Sequence, residues 1–292
     1  MNLRTQQITI VMNRLNNRLT PSKINKLTLT SCLSLVMGFF LSVSVAAETL
    51  RLATTTSTEN SGLLAYLLPE LEKDTGIKVN YTAIGTGQAL RLGKLGKVDV
   101  LLVHAPASES KFVKEGWGVG RYPVMRNYFL IVGPKSDPAE IKDSKNLSAA
   151  FMNMSKGKAS FISRGDQSGT HKKEKHLWNK HALLPIGAKW YFEAGLNMKK
   201  TLQKANEKQG YTLIDRGTWL AHKDSYDLIE LYSGHADLMN IYSIILINSE
   251  RHEINIRESS AFLDWFLSEK GREMIGNYKI NNQTLFTPIV NQ

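Results

Sequence analysis

The stretch Ser163-Arg164-Gly165-Asp166-Gln167-Ser168-Gly169-Thr170-His171 concentrates the residue types that hold an anion. Arg164 offers a planar fork of N–H donors suited to an oxyanion, and Asp166 is spaced to hold that fork in position. Ser168, Gly169 and Thr170 supply small hydroxyls and a backbone that can approach a ligand closely. An ordinary helix cap is the plain alternative for any single turn of this kind. Lys172 and Lys173 argue against it, because positive charge in a first helical turn opposes the dipole by about 0.3–1 kcal/mol, a cost that a bound anion offsets. The spacing Gly165-x-x-Ser168-Gly169 is not that of a nucleophile elbow, so hydrolase chemistry finds little support.

The elements around this stretch must aim it. Ala159-Ser160-Phe161-Ile162 reads as a strand, and the charged segment from Lys172 to Lys180 reads as a helix. The polar turn therefore lies at a helix N-terminus, where four N–H groups have no intrahelical partner and about half a positive charge gathers. Two more strand-to-helix junctions carry similar turns, Thr55-Thr56-Ser57 after Leu50-Arg51-Leu52-Ala53-Thr54, and Gly85-Thr86-Gly87 after residues 77–84. In open α/β sheets ligands sit beyond the carboxyl ends of the strands, so three such turns could surround one small oxyanion with neutral donors.

Further apolar runs at 98–103, 128–134 and 238–247 read as strands, and 63–73, 198–209, 259–268 and 269–278 as helices. The alternation predicts an α/β fold with a mostly parallel sheet. Other chemistry fares poorly. His171, His176 and His181 recur every five residues, which spreads them around a helix, so they read as solvated side chains and no metal site is expected. The five tryptophans read as packing residues.

The N-terminus is a separate matter. Residues 1–47 carry five basic and no acidic residues, followed by an apolar segment at 27–45 and small residues before Glu48. That is the pattern of a secretory signal peptide, with Met12 as an alternative start. Leu29-Thr30-Ser31-Cys32 loosely resembles a lipidation box, but the apolar stretch follows the cysteine instead of preceding it. Cleavage lowers the formal net charge from +11 to +6, mildly basic, and removes Cys32, the one cysteine in 292 residues. No Lys/Arg run with interleaved aromatics points to nucleic acid.

At these motifs the chain resembles the periplasmic tungstate-binding proteins of ABC uptake systems, the Tup type, over nearly all of residues 49–290. The likeness rests on Ala53-Thr54-Thr55-Thr56-Ser57-Thr58, Gly85-Thr86-Gly87-Gln88-Ala89-Leu90, Leu101-Leu102-Val103-His104-Ala105-Pro106, Val132-Gly133-Pro134 with Asp137-Pro138-Ala139, the stretch 163–174, and Asp215-Arg216-Gly217-Thr218. It implies a two-lobed type II periplasmic-binding-protein fold with a ligand cleft between lobes, lobe 1 comprising 48–127 and 245–292 and lobe 2 comprising 128–244. It also implies ligand contacts from Thr55, Thr56, Ser57, Thr86, Arg164, Ser168, Gly169 and Thr170.

The expected protein is then a periplasmic monomer that captures tungstate, with molybdate second, and delivers it to an inner-membrane permease without cofactor or catalysis. A phosphate or sulfate receptor is the alternative, and an exported hydrolase of phosphorylated substrates a more distant one. Tungstate, molybdate and sulfate are fully deprotonated dianions suited to a site of donors alone, whereas phosphate near pH 7 carries a proton that needs an acceptor. Where phosphate receptors of the superfamily place an acceptor Asp, this chain has His104, which reads equally as a proton acceptor or as a packed histidine.

Overall fold

The computed structural model describes residues 49–157 and 159–290. The expected signal peptide, with Met12 and Cys32, lies outside these residues. Three short strands form the frame that carries the first two polar turns. In chain order β1 (Thr49–Thr55) leads through α1 (Thr56–Asn60) and α2 (Leu63–Thr75) to β2 (Lys78–Ile84), and α3 (Thr86–Lys94) leads on to β3 (Val100–Val103). β1 lies between β2 and β3, parallel to both. The register pairs Thr55 with Ile84 and Thr54 with Leu102, so the three strands end level and their following turns share one edge of the sheet.

After α4 (Pro106–Lys114) comes the long strand β4 (Gly118–Pro134), which belongs to two neighbourhoods. The next elements are α5 (Leu147–Ser155), β5 (Phe161–Ser163), α6 (Gly169–Lys180), β6 (Tyr191–Glu193), α7 (Met198–Glu207), β7 (Thr212–Asp215), α8 (Arg216–His222), β8 (Leu228–Tyr232) and β9 (Met239–Ile247). The chain closes with α9 (Ile256–Leu267), α10 (Glu269–Asn277) and three two-residue strands, β10 (Lys279–Ile280), β11 (Gln283–Thr284) and β12 (Thr287–Pro288). Residues 118–128 of β4 pair with β9, which in turn pairs with β3, while residues 129–134 pair with β7 and β8.

Side-chain alternation explains how each strand serves two faces. Val100 and Leu102 of β3 enter one buried cluster with α2 and α9, and Leu101 and Val103 enter another with α3. In the far half of β4, Phe129 and Ile131 pack with Trp178 and Tyr191, whereas Leu130 and Val132 pack with Ile214 and Leu202. Each such side chain withdrawn from water contributes about 1.5–3 kcal/mol, and the two halves of the molecule have separate interiors.

The strand–helix rhythm predicts a mostly parallel sheet, and here the structure differs. The eight-stranded sheet is mixed: β4 and β9 run antiparallel to each other and to their other partners. A continuous apolar run marks a buried strand but not its direction. β4 also begins ten residues before the expected start at Tyr128, because Gly118, Gly120 and Pro123 interrupt its alternation and the ladder shifts register beside them. The residues after Thr55 form a short helix, which the threonine and serine content of 55–58 masks.

Candidate functional site

Each of the three turns is built by a helix cap. Thr55 ends β1 and caps α1, its Oγ1 accepting from Thr58 N at 3.4 Å. Gly85 follows β2 in an extended conformation and caps α3 without a side-chain bond, so Thr86 becomes the first helical residue. Ser168 caps α6, its Oγ accepting from His171 N. The loop before it is pinned from both sides. Arg164 forms an ion pair with Asp166, whose other oxygen accepts Ser168 N at 3.1 Å. Leu196 N donates to Arg164 O at 3.1 Å, tying the loop to the start of α7. Gly165 is needed here: its φ is +62°, and a methyl group would fall 3.1 Å from Gly195 N.

The turns meet. A methyl group on Gly169 would lie 3.6 Å from Thr86 Oγ1 and 3.2 Å from His104 Cε1, so the α6 terminus abuts the α3 terminus and the residue after β3. Lys172 Nζ reaches the same junction, 3.7 Å from the position of a methyl group on Gly87. Two helix N-termini and an ammonium group thus converge, an arrangement that repels itself until a negative charge enters.

Two buried polar atoms there have no protein partner. Thr86 Oγ1 is one, on a residue 2% exposed, and Arg164 Nε is the other, on a residue 8% exposed. A buried polar group left unpaired costs about 1–3 kcal/mol, so both are donors in want of an acceptor. Beside Arg164 is a cavity of about 470 Å³. Its lining joins Thr56, Ser57 and Asn60 to Arg164, Asn197, Met198 and Lys199, with Thr218, Ala221 and His222 from α8. None of these ten is a carboxylate. Asp166 stays below the usual carboxylate range: burial pulls it up, but the hydrogen bond from Ser168 and the charge of Arg164 outweigh that. His222 is pushed down by burial and by Lys199.

Of the eight residues expected from the sequence, Thr56, Ser57 and Arg164 line the cavity. Thr55, Thr86 and Thr170 are buried, and Thr86 and Gly169 face each other. Ser168 is the least free, since its hydroxyl and its N–H are both engaged in shaping the loop. His104 is the residue the sequence leaves undecided. It is 6% exposed, with Nε2 at 3.0 Å from Ser57 Oγ and 3.1 Å from Thr55 Oγ1. Burial, opposed by the hydrogen bond that His104 donates to Asn240, holds its pKa below the ordinary histidine value.

His171 is a correction. It is 1% exposed, not solvated, and its Nδ1 accepts Gln167 N at 3.0 Å. It lies in the first turn of α6 with Nε2 3.7 Å from Glu193 Oε1 of β6, and the five-residue spacing to His176 and His181 gives no sign of this burial. Asn60, Asn197, Lys199, Thr218 and His222 were missed as cavity residues. The junctions Asn197-Met198 and Asp215-Arg216-Gly217-Thr218 carried the available signal, a capping side chain just before a helix. Among the described residues no cluster of His, Cys, Asp and Glu could hold a metal ion, and no helix is long and apolar enough to cross a membrane.

Residues 42–270 match the model of the PBP superfamily domain. The chain is 47% identical over 242 residues to the tungstate-binding protein TupA of Peptoclostridium acidaminophilum, covering 81% of this chain and 84% of that one. Among solved structures, the tungstate-binding protein TupA from Desulfovibrio alaskensis G20 superposes with a TM-score of 0.78 at 42% identity, covering 84% of this chain and all of that one. The tungstate ABC transporter protein from Geobacter sulfurreducens superposes with a TM-score of 0.72 at 45% identity, covering 79% of this chain and 99% of that one.

Proposed function

The chain belongs to the PBP superfamily and, within it, to the family of the TupA tungstate-binding proteins, and from that premise we propose that it is the substrate-binding component of an ABC uptake system, capturing tungstate and passing it to a membrane permease. The observation that carries the reading is the convergence of donors without acceptors. Thr86 Oγ1 and Arg164 Nε are buried and unpaired, two helix N-termini face each other, and the nearby carboxylates are spent, Asp166 on Arg164 and Ser168 and Asp215 on Thr218. A tetrahedral dianion carries only acceptors and complements such a seat. Hydrogen phosphate would bring a proton for which the seat has no free carboxylate, so a phosphate receptor is disfavoured.

In this reading Thr55, Thr56, Ser57 and Thr86 approach the anion from one lobe, and Arg164, Ser168, Gly169 and Thr170 from the other. Lobe 1 is taken as 48–127 with 245–292 and lobe 2 as 128–244, a division supported by β4, which exchanges β9 for β7 as its partner between Tyr128 and Phe129. The return runs along β9, whose Ser243–Leu246 pair with β3 of the first lobe. The protein works as a monomeric receptor in the periplasm after cleavage near Glu48, and it transforms nothing.

Mass spectrometry of anion released from protein purified without added ligand, followed by calorimetry against tungstate, molybdate, sulfate and phosphate, tests the reading. Tungstate should be recovered and should bind most tightly. Phosphate that competes with tungstate at equal concentration would overturn it.

A further inference from the structure

The hydroxyls of Thr55 and Ser57 can each give one proton, and whether an anion receives it depends on their neighbour His104. Its imidazole is enclosed. Tyr242 stacks on one face with ring centroids 4.6 Å apart, and Gly169 of the opposite turn closes on the Cε1 edge. Nδ1 lies 3.0 Å from Asn240 Oδ1. The Asn240 amide is itself fixed, because Nδ2 donates to Asn127 Oδ1 at 2.9 Å and to Tyr242 Oη at 3.1 Å. With its donor end occupied there, Asn240 turns its acceptor to the ring, so the proton of a neutral His104 sits on Nδ1 and the lone pair on Nε2.

We propose that His104 is a positioning residue that sets which hydroxyl proton the seat offers to a bound oxyanion, and that Asn240 fixes His104 in that state. One lone pair takes one proton. Thr55 is the natural giver, since it is 4% exposed and enclosed by the hydroxyls of Ser57 and Thr58 at 3.0 and 2.8 Å. Ser57 lines the cavity and keeps its proton for the ligand. Of the four residues that approach the anion from this lobe, Thr55 then acts through His104 and does not itself donate to the anion. Asn127 and Asn240 are register partners on β4 and β9, so the device is anchored in the pair of strands that serves both halves of the sheet.

The inference rests on the tungstate reading, and its test separates the two. Nitrogen NMR of the unliganded protein at pH 7.5 should show His104 with a protonated Nδ1 and a bare Nε2. His104→Gln should weaken tungstate binding about fivefold to tenfold. Asn240→Leu, which keeps the imidazole, should abolish the single tautomer and weaken binding by a similar factor. Ser57→Ala should cost more affinity than Thr55→Val.

A proton on Nε2, or His104→Gln and Asn240→Leu both binding within twofold of the parent, would overturn the proposal. If His104→Gln does not fold, the nitrogen spectrum and Asn240→Leu decide the matter. A parent that ignores tungstate refutes the functional reading instead, and the tautomer is still measured.

Discussion

Replacing Arg164 by Gln removes the charged donor of the seat, and the structure says how large the loss should be. Arg164 is 8% exposed, bound to Asp166 through Nη2, and its Nε has no protein acceptor. A charge-assisted hydrogen bond of this kind contributes about 1.5–3 kcal/mol, which corresponds to roughly tenfold to 150-fold in affinity. A second effect adds to it. Once Arg164 is gone, the Asp166 carboxylate still accepts Ser168 N and confronts the incoming dianion with an unneutralised like charge. The double variant Arg164→Gln/Asp166→Asn should therefore bind tungstate more tightly than Arg164→Gln alone. Arg164→Lys should fall between parent and Gln, because one ammonium cannot hold Asp166 and bond the ligand with the same fork. Titration calorimetry with tungstate measures all four proteins, and thermal melting without ligand establishes that each is folded. Arg164→Gln binding within twofold of the parent would refute the assignment of Arg164 as a ligand contact. A double variant weaker than the single one would refute the role given to Asp166.

Three further outcomes follow from neighbouring residues. Thr86→Val removes a buried hydroxyl with no partner, so melting without ligand should be unchanged or slightly higher while tungstate affinity falls about threefold to tenfold; lower stability with unchanged affinity would contradict this. Gly169→Ala places a methyl group 3.2 Å from His104 Cε1, and calorimetry should show weakened binding with little effect on the unliganded melting temperature; parental affinity would mean that the two turns need not close so far. Glu174 is buried with hydroxyl donors from Ser163 and Tyr191 at 2.7 Å each, and burial pushes its carboxyl up to about 7 from an ordinary 4.5. Because the folded state holds this proton more tightly than the unfolded one, the stabilisation is complete below pH 4.5 and is lost as pH rises through about 7. Glu174→Gln should flatten the decline in melting temperature between about pH 5 and 8, and an unaltered slope would exclude Glu174 as its source.

The frame was legible in the sequence because its signals are local. Val100-Leu101-Leu102-Val103 announces a buried strand by composition, and Ser168-Gly169-Thr170 ahead of a charged segment announces a helix start. What the sequence conceals is pairing between distant segments. Nothing near Tyr128 tells that β4 continues back to Gly118, since Pro123 and two glycines break the pattern that the ladder with β9 restores. His104 was undecided for the same reason: Asn240 is 136 residues away. The cavity residues Asn60, Lys199 and His222 give no local sign at all, because each reads as an ordinary exposed position until three helices are brought together.

The double membership of β4 also dictates an order of assembly. Its far half finds β7 and β8 by residue 232, within about 100 residues of chain, so that sheet can close early. β3 waits for β9, about 140 residues downstream, and the first half of β4 waits for β9 and then for β12 at the end of the chain. Pairings this remote slow folding, because loop closure precedes any gain from contact. Until Met239 is available, β3 and residues 118–128 present open strand edges, the usual template for association with other chains. The strands β1 to β3 and the far half of β4 with β7 and β8 can therefore close as two local pieces, and the most exposed moment comes just before the return strand joins them.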